Sequence, residues 1–198
     1  ICECSYNGTI DISSLPTTLV QVDLSKNRFS GPFNFGLMGS HLPNVDSFNC
    51  QNNYFTGPVD IANLPAAIQT FIIKANNFNG TTVSLTNLPD TLVELDLSFN
   101  ALSGGLDLTK LPKQLVILKL YNNNFNGSID LYSLPASLTE IAITNNKFSG
   151  TLDATRLSNN LQLLYLDNND FSGALDLTKL PKAAEIAFFS ANNFVGTA

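Results

Sequence analysis

The chain has 198 residues with 10 basic and 16 acidic side chains, a formal net charge of −6, and 13% charged against 44% hydrophobic residues. That balance excludes a charge-solvated disordered chain and argues against a phosphate-tracking nucleic-acid binder or a polybasic membrane binder. The longest apolar runs, such as residues 161–166 (Leu-Gln-Leu-Leu-Tyr-Leu), are far too short to insert across a bilayer.

Read in chain order, the sequence opens on a partial unit over residues 1–18 that contains Cys4, Tyr6 and Gly8. Eight further units start near Leu19, Val45, Ile68, Leu92, Leu115, Leu138, Leu161 and Ala184, the last incomplete. Each carries an asparagine two residues before an aromatic or leucine position: Asn27, Asn53, Asn76, Asn100, Asn123, Asn146, Asn169 and Asn192. Counted from Cys4, successive anchors are 23, 26, 23, 24, 23, 23, 23 and 23 residues apart. A period that constant marks a stacked-repeat architecture, in which each unit buries its apolar face against its neighbours. No linker or domain boundary interrupts it, so residues 1–198 read as one domain.

Aligned on the anchor, the unit is L-x-x-L-x-L-x-x-N-x-F-x-G-x-L-D-L-x-x-L-P-x-x, and residues 115–135 are a clean copy. Its first eleven positions match the leucine-rich-repeat signature. The chain therefore resembles leucine-rich-repeat proteins over essentially its whole length. Its F-x-G-x-L-D-L half is similar to the plant-type class, with Asp-Leu where that class has Pro, and to repeats of protist extracellular proteins. The resemblance implies a right-handed repeat solenoid with a parallel β-sheet on the concave face. Few or no α-helices are expected.

Each column has a physical reason. The x-L-x-L-x segment has period 2, so its leucines face one side and its x positions the other. The asparagine follows where the chain turns, and a buried amide can satisfy both N–H and C=O groups left without strand partners. The stacked amides should form a ladder, with the phenylalanines as an aromatic spine beneath it. L-D-L alternates again, which predicts a second short strand on the convex side. Leu-Pro then denies a helix interior, so turns and 3₁₀ pieces should complete the coil. The longer spacers place extra residues at 36–41 and near Thr81-Thr82, and both should bulge outward as loops.

Little points to catalysis. The single histidine, His41, falls in the irregular stretch with no nucleophile pattern nearby and reads as a surface-loop residue. Nucleophile-elbow, phosphate-loop, zinc-helix and EF-hand patterns do not occur. No enzyme activity, cofactor or metal is expected. Asp11, Asp60, Asp107, Asp130, Asp153 and Asp176 recur in the L-D-L column. A row of carboxylates suits divalent cations, but short Asp side chains bond local turn N–H groups, and that reading is preferred.

Cys50 falls at a core-facing strand position and reads as a buried free thiol, while Cys2 and Cys4 are too close to bridge without strain. The resemblance implies that this pair is the remnant of a cysteine-bearing cap, and that the chain is a fragment whose uncapped ends could make further contacts. Asn7, Asn79 and Asn126 begin N-x-[ST] sequons and are candidate glycosylation sites, although 25 Asn and 33 Ser plus Thr make such triplets expected by chance. An extracellular or cell-surface location rests on the resemblance and the cysteine pair.

Apolar residues at concave x positions are not required by the fold and need an explanation. Ile117, Tyr121, Leu163, Tyr165, Ile186 and Phe188 form such a set in the C-terminal half, with Phe99 near its edge, while the N-terminal half is polar and partly acidic. Tyrosines and other aromatics on a rigid scaffold anchor protein interfaces. The functional reading is a protein- or peptide-recognition module binding through the concave face. The alternative for the residues is packing against further repeats. For the chain, the alternative is a purely structural repeat of a surface coat. An ice- or carbohydrate-binding solenoid ranks third, because the sequence has no Thr-x-Thr ladder or Trp platform.

Overall fold

The computed structural model describes residues 5–81 and 83–196. Cys2, Cys4 and Thr82 lie outside the described residues. Among the described residues the chain coils into a solenoid with two parallel sheets, one of eight strands and one of nine. The eight-stranded sheet takes one three-residue strand from each repeat, running from Gln21–Asp23 through Ser47–Asn49, Thr70–Ile72, Glu94–Asp96, Ile117–Lys119, Glu140–Ala142 and Leu163–Tyr165 to Ile186–Phe188. Neighbouring strands are consecutive repeats in strict register: Leu95, Leu118, Ile141 and Leu164 are paired along one line. These are the x-L-x positions, and their central residues point into the coil. Phe48, Phe71, Leu95, Leu118 and Leu164 are completely buried.

The second sheet differs from expectation. Its strands run from Asn7–Gly8 to Asn193–Val195 and are built from the residues that follow the anchor, as in Asn124–Ser128. L-D-L contributes no strand. Its alternation is real, since Leu106 and Leu108 are buried around exposed Asp107, but the aspartate ends the extended run by bonding the backbone ahead. In three units that bond opens a 3₁₀ turn, at Ile12–Ser14, Ala154–Arg156 and Leu177–Lys179.

The asparagines link coil to coil. Asn123 accepts the Leu102 N–H at 3.0 Å and donates to the carbonyls of Leu97 and Leu120 at 3.0 and 3.1 Å. The same set recurs from Asn53 to Asn192, as in Asn53 with Phe29, Leu24 and Cys50, and Asn192 with Phe171, Leu166 and Phe189. Below the ladder, the rings of Phe29, Phe55 and Phe78 stack at 6.0 and 6.1 Å, and Phe125 stacks on Phe148 at 6.1 Å. Leu102 interrupts the spine. The residue before each asparagine anchor is left-handed, with φ between 51° and 57° at Lys26, Asn52, Ala75, Phe99, Asn122, Asn145, Asn168 and Ala191.

The insertion at residues 36–41 also departs from expectation. It does not bulge outward. It forms a 3₁₀ turn, Phe35–Leu37, and one α-helical turn, Met38–His41. Phe35, Met38 and Leu42 are at most 1% exposed. Their spacing of three and four residues puts them on one helical face, which fills the widened coil with apolar volume. Phe35 meets Phe71 and Phe78 at 5.4 and 5.3 Å. His41 is half-buried on this turn, not on a free loop, and its Nε2–H donates to the Leu15 carbonyl at 2.9 Å.

Candidate binding surface on the concave sheet

Side chains flanking each central leucine face the concave side and, by register, form rows across the repeats. One row aligns Glu94, Ile117, Glu140, Leu163 and Ile186; the next aligns Asp96, Lys119, Ala142, Tyr165 and Phe188. Parallel strands stand about 4.8 Å apart, so side chains in one row touch or crowd their neighbours. Ala142 is the small member of its row, between Lys119 and Tyr165. A methyl group there cannot fill the space that long neighbours enclose. The result is a hollow of about 380 Å³ lined by Lys119, Tyr121, Glu140, Ala142, Thr144, Tyr165, Asp167 and Phe188.

Of the residues proposed from sequence, Tyr121, Tyr165 and Phe188 are brought together in the hollow, while Ile117, Leu163 and Ile186 stand in the adjoining row. Tyr165 and Phe188 meet edge to face at 5.5 Å. Phe188 remains 52% exposed. Tyr121 packs edge to face on Phe99 at 5.2 Å, and Lys74 lies over both rings at 5.7 and 5.8 Å. Five lining residues, Lys119, Glu140, Ala142, Thr144 and Asp167, stand at outward positions but were not among the residues proposed from sequence. The signal available was the alanine, a small residue in a column where both flanking repeats carry long ones.

The charges of the hollow do not cancel. Lys119 pairs with Glu140 at 3.4 Å. Asp167 accepts the Thr144 hydroxyl at 2.7 Å and the Asn168 side-chain amide at 2.9 Å, both neutral donors. One carboxylate charge is therefore left over beside the aromatic pair.

The remaining candidates lie elsewhere. On the convex side Asp107, Asp153 and Asp176 accept both the hydroxyl and the backbone N–H of Thr109, Thr155 and Thr178, at 2.6 to 2.9 Å. Those bonds, side-chain first, hold the three carboxyls below the usual range. Ser13 does the same for Asp11. For Asp130 the Tyr132 N–H is the main cause. The aspartates are thus occupied as turn acceptors. Burial pushes the Cys50 thiol up. Asn7, Asn79 and Asn126 occupy exposed positions of the nine-stranded sheet, away from the concave rows. No helix among the described residues is long and apolar enough to cross a membrane.

No protein-family model matches the chain. Over 98 residues it is 37% identical to receptor-like protein 18 of Arabidopsis thaliana, a match covering 47% of this chain and 11% of that protein. Its structure is similar to the Arabidopsis receptor kinase HAESA, solved with the peptide hormone IDA and the co-receptor SERK1. That likeness has 28% identity and a TM-score of 0.80, over 97% of this chain and 33% of the receptor. A plant ice-binding protein shares the fold at 24% identity and a TM-score of 0.70, over 98% of this chain and 66% of that protein. The chain thus spans about a tenth of the curated relative it matches. The repeat, the stacked parallel sheets and these likenesses make the chain a leucine-rich-repeat solenoid similar to plant receptor ectodomains.

Proposed function

We propose that the chain is a non-enzymatic recognition module, outside the cell or at its surface, that binds a protein or peptide through the C-terminal half of its concave face. The observation that carries this reading is the hollow over Ala142, walled by Tyr121, Tyr165 and Phe188. Aromatic side chains held half-exposed on a rigid sheet bring large contact area at small entropic cost, as interface anchors do. The similar receptor solved with a peptide hormone supports a ligand-binding role for this class of solenoid.

The test is selection of a random displayed heptapeptide library against the solenoid, with a Tyr165→Ser, Phe188→Ser variant as comparison. Selected peptides should bind the parent and lose binding to the variant, whose melting temperature stays nearly unchanged. Peptides binding both proteins alike would remove the concave reading. A large drop in melting temperature would make the patch structural. A purely architectural repeat is the second reading, favoured by the regular 23-residue coil. It predicts no selected peptide.

A further inference from the structure

Resting on the proposed concave site, we infer that the hollow over Ala142 takes a basic side chain of the bound polypeptide, arginine in preference to lysine. Tyr165 and Asp167 alternate with buried Leu166 on one coil and therefore face the same side. This sets an aromatic ring and a carboxylate on neighbouring corners of a pocket with a methyl floor. Phe188 extends the ring wall at 5.5 Å.

The charge arithmetic selects the sign of the ligand. Lys119 is matched by Glu140 at 3.4 Å, while Asp167 is held only by the Thr144 hydroxyl and the Asn168 amide among its described bonds. An anionic group entering the hollow would meet that carboxylate and would have to draw Lys119 from its partner. A cation gains Asp167 directly and rests on the electron-rich ring faces. Lys74 already sits over Tyr121 and Phe99, which shows that this face accommodates a cation on its aromatics and leaves Tyr165 and Phe188 as the free pair. A guanidinium is planar and weakly hydrated, so it can lie on a ring and still direct a fork of N–H groups at a carboxylate; an ammonium cannot do both. The hollow's volume of about 380 Å³ admits such a side chain. The net charge of −6 adds a long-range attraction for basic segments.

The experiment uses four capped peptides, Gly-Ser-Gly-X-Gly-Ser-Gly, with arginine, lysine, citrulline or glutamate at X. Each is titrated into the full chain while the methyl resonance of Ala142 is followed by NMR. The arginine peptide should give saturable shifts at Ala142, with citrulline about tenfold weaker because it keeps the shape and loses the charge. Lysine should fall between them, and glutamate should give none. Asp167→Asn should bring arginine down to the citrulline level while leaving the melting temperature unchanged. Equal arginine and citrulline binding, preference for glutamate, or no saturable shift with any of the four would overturn the inference. Two failures are distinguishable. Library peptides that need Tyr165 and Phe188 but carry no basic residue would leave the concave site standing and sink this assignment alone. Peptides indifferent to Tyr165 and Phe188 would sink both.

Discussion

The side-chain oxygen of Asn123 accepts the backbone N–H of Leu102 at 3.0 Å, across 21 residues of chain and from one coil to the coil before it. Its amide nitrogen reaches back to Leu97 and Leu120. One side chain thus satisfies groups on two coils at a turn closed to water, where an unpaired N–H or C=O is costly. Asn123→Ala should therefore lower stability by about 1–3 kcal/mol. Asn124→Ala, one residue on and exposed, should change it by less than about 0.5 kcal/mol. Urea unfolding of both variants measures the difference, and equal losses would contradict the ladder.

Ala75 precedes the ladder residue Asn76 with φ 53°, where a Cβ crowds the carbonyl. Four of the eight residues that precede a ladder asparagine are Asn, a side chain that tolerates the left-handed region. Ala75→Asn should raise stability by about 0.5–1 kcal/mol. A lower melting temperature would show that the space around residue 75, not its backbone, sets the cost.

Gly104 and Gly127 share the left-handed conformation at φ 90° and 82°, yet their surroundings differ. A Cβ on Gly104 would collide with the Thr81 carbonyl oxygen, whereas on Gly127 it meets only the Gly105 Cα at 3.9 Å. Gly127→Ala should cost about 1–2 kcal/mol from backbone conformation alone. Gly104→Ala should cost more, because two coils must also separate. Thermal denaturation that ranked them the other way would refute the close approach.

The convex aspartates make stability depend on acid. Asp11, Asp107, Asp130, Asp153 and Asp176 have folded pKa values below that of a free carboxyl. The folded chain therefore binds fewer protons than the unfolded chain near and below about pH 4. Their stabilisation is complete above that pH and is lost as pH falls through the depressed values. Replacing Thr109, Thr155 and Thr178 together by Val removes the largest cause at three sites. Urea midpoints between about pH 2 and 5 should then vary less steeply with pH than in the parent. An unchanged slope would assign the acid sensitivity elsewhere.

Much of the molecule was legible in one dimension because each repeat solves the same local problem. The period of the asparagines located every coil, and the alternation around Leu118 assigned inward and outward residues, since a strand's faces follow from period 2 alone. The second sheet was misplaced at L-D-L because alternation reports which side chains are buried, not which backbones pair. Asp107 takes the Thr109 N–H and hydroxyl and so ends the extended run, and the strand forms earlier in the repeat, around Phe125 and its equivalents. Phe35, Met38 and Leu42 carried a helical spacing that an outward loop would not need, and the widened coil turned it inward.

The proposed binding surface divides in the same way. The outward placement of Tyr121, Tyr165 and Phe188 was legible in the sequence because large apolar residues at outward positions are conspicuous. The sequence by itself thus determined the coil, the core, the ladder and the outward aromatics, all of which depend on spacing within one repeat. Only the tertiary structure decided the hollow over Ala142, the Lys119–Glu140 pair and the unmatched charge of Asp167. A pocket is set by which side chains stand about 4.8 Å to either side, and those neighbours lie a whole repeat away in the chain.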